Sequence, residues 1–156
     1  MMQSKKGFSL FELLIVVALI GGLLTILVLI LGGKQKEIRD LQRLNDMRDL
    51  SSAFSLVKNE TGFYDRSYCD LGVVSDCVAK GNSKLTVFLK NLKMINDPSG
   101  TISCLASGQC QRDVCNYSFS KLSENDYEIL FHLEKGVDEY ALPGCYRLTP
   151  NGISKI

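Results

Sequence analysis

Residues 7–31 read Gly7-Phe8-Ser9-Leu10-Phe11-Glu12-Leu13-Leu14-Ile15-Val16-Val17-Ala18-Leu19-Ile20-Gly21-Gly22-Leu23-Leu24-Thr25-Ile26-Leu27-Val28-Leu29-Ile30-Leu31. From Phe8 to Leu31 there are 24 residues and a single charge, Glu12. A helix rises about 1.5 Å per residue, so this run spans roughly 36 Å, enough for a bilayer core of about 30 Å. Lys5 and Lys6 directly precede it. Basic residues stay on the cytoplasmic side, which predicts that residues 1–6 face the cytoplasm and the rest of the chain faces outward. A lone carboxylate within an apolar helix costs about 3 kcal/mol on insertion scales. Near the helix start, Glu12 either snorkels to the head groups, helped by the helix dipole, or finds a partner.

A secretory signal has a short apolar core of about 7–15 residues followed by a small-residue cleavage site. Here the apolar run is longer, and the small residue, Gly7, comes before it. The stretch Lys5-Lys6-Gly7-Phe8-Ser9-Leu10-Phe11-Glu12-Leu13-Leu14-Ile15-Val16-Val17 resembles the class III signal of type IV pilins and type II secretion pseudopilins. The resemblance covers about the first 25 residues closely. It implies cleavage by a prepilin peptidase after Gly7 and N-methylation of the new first residue, Phe8. It also implies that Glu12, five residues into the mature chain, serves in assembly.

Working outward, residues 1–7 are read as a leader, 8–31 as the membrane and assembly helix, 32–61 as its amphipathic continuation and 62–156 as an extracytoplasmic domain. Gly21-Gly22 and Gly32-Gly33 interrupt the helix, and each glycine costs up to about 1 kcal/mol of helix propensity relative to Ala. They serve either close packing through small residues or a point that stretches when subunits pack in a fibre. From Lys34 onward Ile38, Leu41, Leu44, Met47, Ala53, Phe54 and Val57 recur mainly at spacings of three and four. That is helical amphipathicity. The helix is expected to reach about Asn59, roughly 75 Å from Phe8, with Gly62 as its terminator. Asn59 to Tyr64 also resembles the Asn-x-x-Gly-x-Tyr end of the pilin helix.

Residues 65–82 read as loop. Asn82 or Ser83 is expected to cap a short helix carrying Leu85, Phe88, Leu89, Leu92 and Ile95, which Asn96-Asp97-Pro98-Ser99-Gly100 ends. Residues 99–115 hold three cysteines and read as a disulfide-pinned loop. Strands follow. Tyr117 and Phe119 alternate with polar residues, Leu122 to Asp126 turns the chain, and Tyr127, Ile129, Phe131 and Leu133 alternate with Glu128, Leu130, His132 and Glu134. This predicts an antiparallel hairpin with one face buried on the helix. Another strand near Cys145–Leu148, a turn at Pro150-Asn151-Gly152 and a last strand at Ile153–Ile156 complete the reading. The expected fold class is α+β: a long N-terminal helix, transmembrane then amphipathic, packed on a small antiparallel sheet, pilin-like and pinned by disulfides.

The chain has 156 residues, with Lys plus Arg 18 and Asp plus Glu 17. Without Lys5 and Lys6 the balance is 16 against 17, a formal −1. Bulk charge gives no indication of nucleic-acid binding, and acids are interleaved with Arg39, Arg43 and Arg48. All six cysteines, Cys69, Cys77, Cys104, Cys110, Cys115 and Cys145, follow the membrane helix. An even number in a small extracytoplasmic domain reads as a disulfide framework. The rival is a zinc site, but no pair has the two-residue gap of a zinc knuckle, and the only histidine, His132, has no cysteine close in sequence. Cys69 with Cys77 closes a short loop and is the expected first pair; the other four stay open.

No catalytic arrangement and no cofactor are expected. His132 reads as an exposed or packing histidine, the paired glycines belong to the membrane helix rather than to a phosphate loop, and oxidised cysteines offer no thiolate. Asp138 and Glu139 resemble the calcium-binding loop of major pseudopilins, but the spacing lacks a calcium-loop signature, so a solvated turn is the simpler expectation. The resemblance implies a structural subunit of a type IV pilus or related filament. Its partners are copies of itself, the prepilin peptidase, an assembly platform protein and ATPase, and membrane lipid before assembly. A type II secretion pseudopilin or a DNA-uptake pilus is the alternative within the family. An uncleaved, membrane-tethered binding module is the alternative of another class.

Overall fold

The computed structural model describes residues 10–64, 71–76, 85–89, 95–105, 110 and 115–156. The chain divides into two units, residues 1–35 and residues 36–156.

Helix α1 spans Leu10–Thr61. Its part in the first unit is long and apolar enough to cross a membrane, and none of the most apolar stretch is buried. Leu10, Phe11, Leu13, Leu14 and the following Ile, Val and Leu residues to Ile30 are all exposed. Apolar side chains on every face of a helix suit lipid or other helices rather than water.

In the second unit the later turns of α1 bury Leu44, Met47, Leu50, Ala53, Phe54 and Val57. The helix stops because Gly62 adopts φ +86°, a conformation that costs a residue with a Cβ. Its N–H donates to the Lys58 carbonyl at 2.7 Å, so an otherwise orphaned carbonyl is satisfied. The Lys58 ammonium lies 4.6 Å from the centre of the Tyr64 ring, a favourable cation–π placement.

Five antiparallel strands form the sheet, in the order β1-β4-β5-β6-β7. They are β1 (Gly72–Val73), β4 (Ser118–Leu122), β5 (Tyr127–Leu133), β6 (Gly144–Thr149) and β7 (Gly152–Lys155). A separate parallel pair joins β2 (Ile102–Ser103) to β3 (Cys115–Asn116). The short helix α2 is Leu85–Phe88. Tyr127, Ile129, Phe131 and Leu133 of β5 face the α1 side of the core together with Tyr117, Phe119, Tyr146 and Leu148. Phe54 stacks on Tyr127 with ring centres 4.4 Å apart and meets Tyr64 and Phe119 edge-on. Such pairs contribute about 0.5–1.5 kcal/mol beyond their buried area. The expected α+β class, with the long helix on an antiparallel sheet and disulfides outside it, is the observed fold.

Several local expectations change, and one falls partly outside the described residues. Ile38 is 63% exposed and Leu41 39%; the turn they occupy instead buries Asp40 and Arg43, because the sheet end opposite it presents charge rather than apolar side chains. The 65–82 stretch contains β1, whose Gly72 and Val73 pair with Phe119 and Ser118. The 99–115 stretch contributes β2 and the first residue of β3 to the parallel pair. The helix expected across 85–95 is described only at 85–88, and 90–94 lie outside the described residues. Finally, the β4–β5 hairpin is not covered on one face alone. Leu130, grouped with the outward set by alternation, is 3% exposed and packs against Cys104, Cys110 and Cys115. The cysteine loop supplies a second cover that no alternation pattern encodes.

Candidate functional site

Two constellations stand out, one in each unit. In the first, Glu12 sits in the opening turn of α1, where the partial positive charge of the helix start favours a carboxylate. It is exposed, like its apolar neighbours Phe11, Leu13 and Leu14. Gly7 and Phe8, the expected cleavage and methylation positions, lie outside the described residues.

The second constellation is a charge cluster in the 36–156 unit. The side chains of Arg43, Asp40 and Asp97 are all fully buried. The Arg43 guanidinium forks onto Asp97, with Nε donating to Oδ2 at 2.6 Å and Nη2 to Oδ1 at 2.8 Å. Nη1 donates to Asp40 Oδ1 at 2.7 Å and to Glu134 Oε1 at 2.9 Å, and Nη2 also donates to Ser99 Oγ at 2.6 Å. Arginine carries five N–H donors, and these contacts occupy every one. Arg39 adds a second fork onto Glu134 at 2.7 and 2.6 Å.

Asp40 acts as a cap for the chain beyond β5. Its Oδ1 accepts the Glu134 N–H at 2.9 Å, and its Oδ2 accepts those of Lys135 at 2.8 Å and Gly136 at 2.9 Å. Gly136 has φ +83°, and a Cβ there would stand 2.5 Å from the Tyr140 carbonyl oxygen. The close approach that lets three successive amides converge on one carboxylate therefore requires glycine. Outside the buried centre, Lys135 pairs with Glu37 at 3.1 Å, an exposed contact of small energetic weight.

Electrostatics follow from this geometry. The hydrogen bonds from Arg39, opposed by burial and reinforced by Arg43, hold the Glu134 carboxyl down at about 2. Burial pulls the Arg43 guanidinium down, but its bonds to Asp97, Asp40 and Glu134 outweigh burial and raise it. Both guanidinium groups of the cluster are hydrogen-bonded to its carboxylates. The cluster therefore ties α1 to the 97–99 and 134–136 segments.

Next to it, Asp46 accepts a hydrogen bond from the Tyr117 hydroxyl at 2.9 Å. Burial, opposed by that bond and helped by the charges of Asp49 and Asp97, pushes Asp46 up to about 6. A carboxyl raised in the folded state contributes stability that is full below its unfolded value and is lost as pH rises through about 6. Glu134 works in the opposite sense: its contribution is full above the ordinary glutamate range and is lost as pH falls toward about 2. The protein should be most stable between these limits, in mildly acidic solution. Asp46→Asn keeps an acceptor for Tyr117 and removes the charge. It should stabilise the protein at pH 7.5 by about 1–2 kcal/mol after allowance for partial exposure. It should also flatten the fall in stability between about pH 4 and 6; thermal unfolding from pH 4 to 7.5 reads both effects.

Among the cysteines, Cys104 bonds to Cys115 and Cys110 to Cys145. These two pairings were open in the sequence. Cys69 and Cys77 lie outside the described residues, and so does the pairing expected between them. Asp138 and Glu139 occupy the two-residue turn between the bridged Val137 and Tyr140, with Asp138 at φ +51°. Aspartate tolerates that conformation better than most residues. The described structure gathers no further acidic side chain with them into a metal-ligand group.

The charge cluster was missed by sequence reasoning. In the sequence Arg39 and Arg43 read only as basic residues on a helix with interleaved acids. The one local signal was Asp40 three residues before Arg43 at a turn where an apolar residue was due. Comparison of the chain with protein-family models, curated proteins and solved structures gives no match.

Proposed function

We propose that this chain is a structural subunit of a type IV pilus-like filament. In this reading it waits in the cytoplasmic membrane with its N-terminus in the cytoplasm, is cleaved after Gly7, and assembles through its N-terminal helix. A prepilin peptidase, a platform protein and an ATPase supplied in trans act on it, and the mature subunit ends in an extracellular or periplasmic filament. The observation that carries the reading is the character of α1. Its first part exposes apolar side chains on all faces with one acid, Glu12, in its opening turn. Its later part is fastened by apolar packing and buried charge to a disulfide-bearing sheet. A tether needs only an apolar span, whereas an acid at the head of that span has a use in subunit-to-subunit pairing.

The Lys5-Lys6-Gly7-Phe8 junction supports processing, since it offers a glycine before the apolar run and no small-residue site within reach after a short one. Intact mass and N-terminal peptide mapping of the purified protein should give N-methylated Phe8 as the first residue. A mature protein that begins at Met1 would leave the uncleaved, tethered module as the better reading.

A further inference from the structure

Four sulfurs gather over the outward face of the sheet. The Sγ atoms of Cys104, Cys110 and Cys115 lie within 4.8 Å of one another, and Cys145 is bonded to Cys110. The two bridges are therefore one cluster rather than two separate staples. Cys104, Cys110 and Cys115 are fully buried, whereas Cys145 is partly exposed, which makes it the member of the cluster with solvent-exposed surface. His132 of β5 stands directly opposite Cys145 of β6 in the strand pairing. Directly opposed residues of an antiparallel pair project from the same face with Cβ atoms about 4.5–5.5 Å apart. The only imidazole of the chain is thus paired with the partly exposed cysteine of the cluster.

We propose that Cys104, Cys110, Cys115, Cys145 and His132 form a thiol–disulfide exchange centre whose substrate is a small monothiol. Imidazole is the side chain suited to moving a proton near neutral pH, and the thiolate is the attacking species in such exchange. His132 takes the proton from the incoming thiol. The resulting thiolate attacks Cys145 Sγ, a mixed disulfide forms there, and the Cys110–Cys145 bond breaks with its electron pair on Cys110. The Cys110 thiolate attacks Cys104 Sγ, forming Cys104–Cys110 and releasing Cys115 as thiolate. Cys115 then attacks the mixed disulfide, forms Cys115–Cys145 and expels the monothiolate, which recovers its proton from His132. Two disulfides enter and two leave, so there is no net oxidation and the monothiol is catalytic. The exchange re-pairs the loop that covers Leu130 and leaves the α1 side of the core untouched.

The full-length protein, incubated with substoichiometric reduced glutathione, acid-quenched and mapped by peptide mass spectrometry, tests this. The expected products are Cys104–Cys110 and Cys115–Cys145, with the state of Cys69 and Cys77 unchanged. Persistence of the native pairs alone, or scrambling that draws in all six cysteines, overturns the proposal. Cys115→Ser provides a test without external thiol. It leaves Cys104 free, so Cys104 should attack Cys110 and expel Cys145, and an alkylating reagent should mark Cys145; marking at Cys104 alone overturns it. His132→Gln should slow the glutathione-driven exchange by about tenfold or more with thermal unfolding unchanged, and an unaltered rate removes His132 from the centre.

Discussion

Arg43→Met should destabilise the protein by about 3–5 kcal/mol, the range for removing one partner of a buried ion pair. The loss comes from what stays behind rather than from the methionine. Asp97 and Asp40 keep fully buried carboxylates, and Asp97 loses both prongs of its fork. Arg43→Lys should recover only part of the loss, since one ammonium cannot present two parallel donors to Asp97 while also reaching Asp40, Glu134 and Ser99. A triple variant, Arg43→Met with Asp97→Leu and Glu134→Leu, should be more stable than Arg43→Met alone, because it removes stranded charges along with the cation. Denaturant unfolding of the detergent-solubilised full-length protein measures all three. A cost below about 1 kcal/mol for Arg43→Met would mean that water reaches the cluster and that it does not fasten α1 to the 97–99 and 134–136 segments.

Glu12→Leu should abolish filaments, or nearly so, while the folded domain and its disulfides persist. Within the proposed function, cleavage after Gly7 creates a positive amine on Phe8, four residues before Glu12. Groups four residues apart on a helix can pair within one subunit, which is the simplest use of the acid. In a fibre, each incoming helix must also find an axial offset along helices that are apolar on every face, and apolar packing has little preference among offsets. An unpaired charge in that setting costs several kcal/mol, so pairing of Glu12 with the Phe8 amine of a neighbouring copy penalises wrong offsets. The variant should insert in the membrane at least as well as the parent, because it loses the one costly residue of the span. It should still be cleaved at Gly7. Electron microscopy of cells expressing only Glu12→Leu reads the outcome; normal filaments would reduce Glu12 to a residue that snorkels to the head groups.

The features legible in the sequence were those set by near neighbours. The apolar run of 8–31, the helical spacing from Leu44 to Val57 and the stop at Gly62 each depend on residues within one or two turns. The alternation from Tyr127 to Leu133 and the turn at Pro150-Asn151-Gly152 are equally local, and α1, β5 and the β6–β7 turn lie where those patterns place them. Burial of a charged face is different in kind. Arg43 meets Asp97 across 54 residues and Glu134 across 91, and Asp40 reaches the Lys135 amide across 95. Nothing in the local pattern separates those charges from the solvated ones beside them. Which of Ile38 or Asp40 turns inward depends on what the sheet presents opposite, and the sheet presents Glu134 and three backbone amides that need an acceptor. The cysteine pairing and the second cover over Leu130 have the same origin, since sequence restricts six cysteines to 15 combinations and only the fold brings Cys110 to Cys145 across 35 residues.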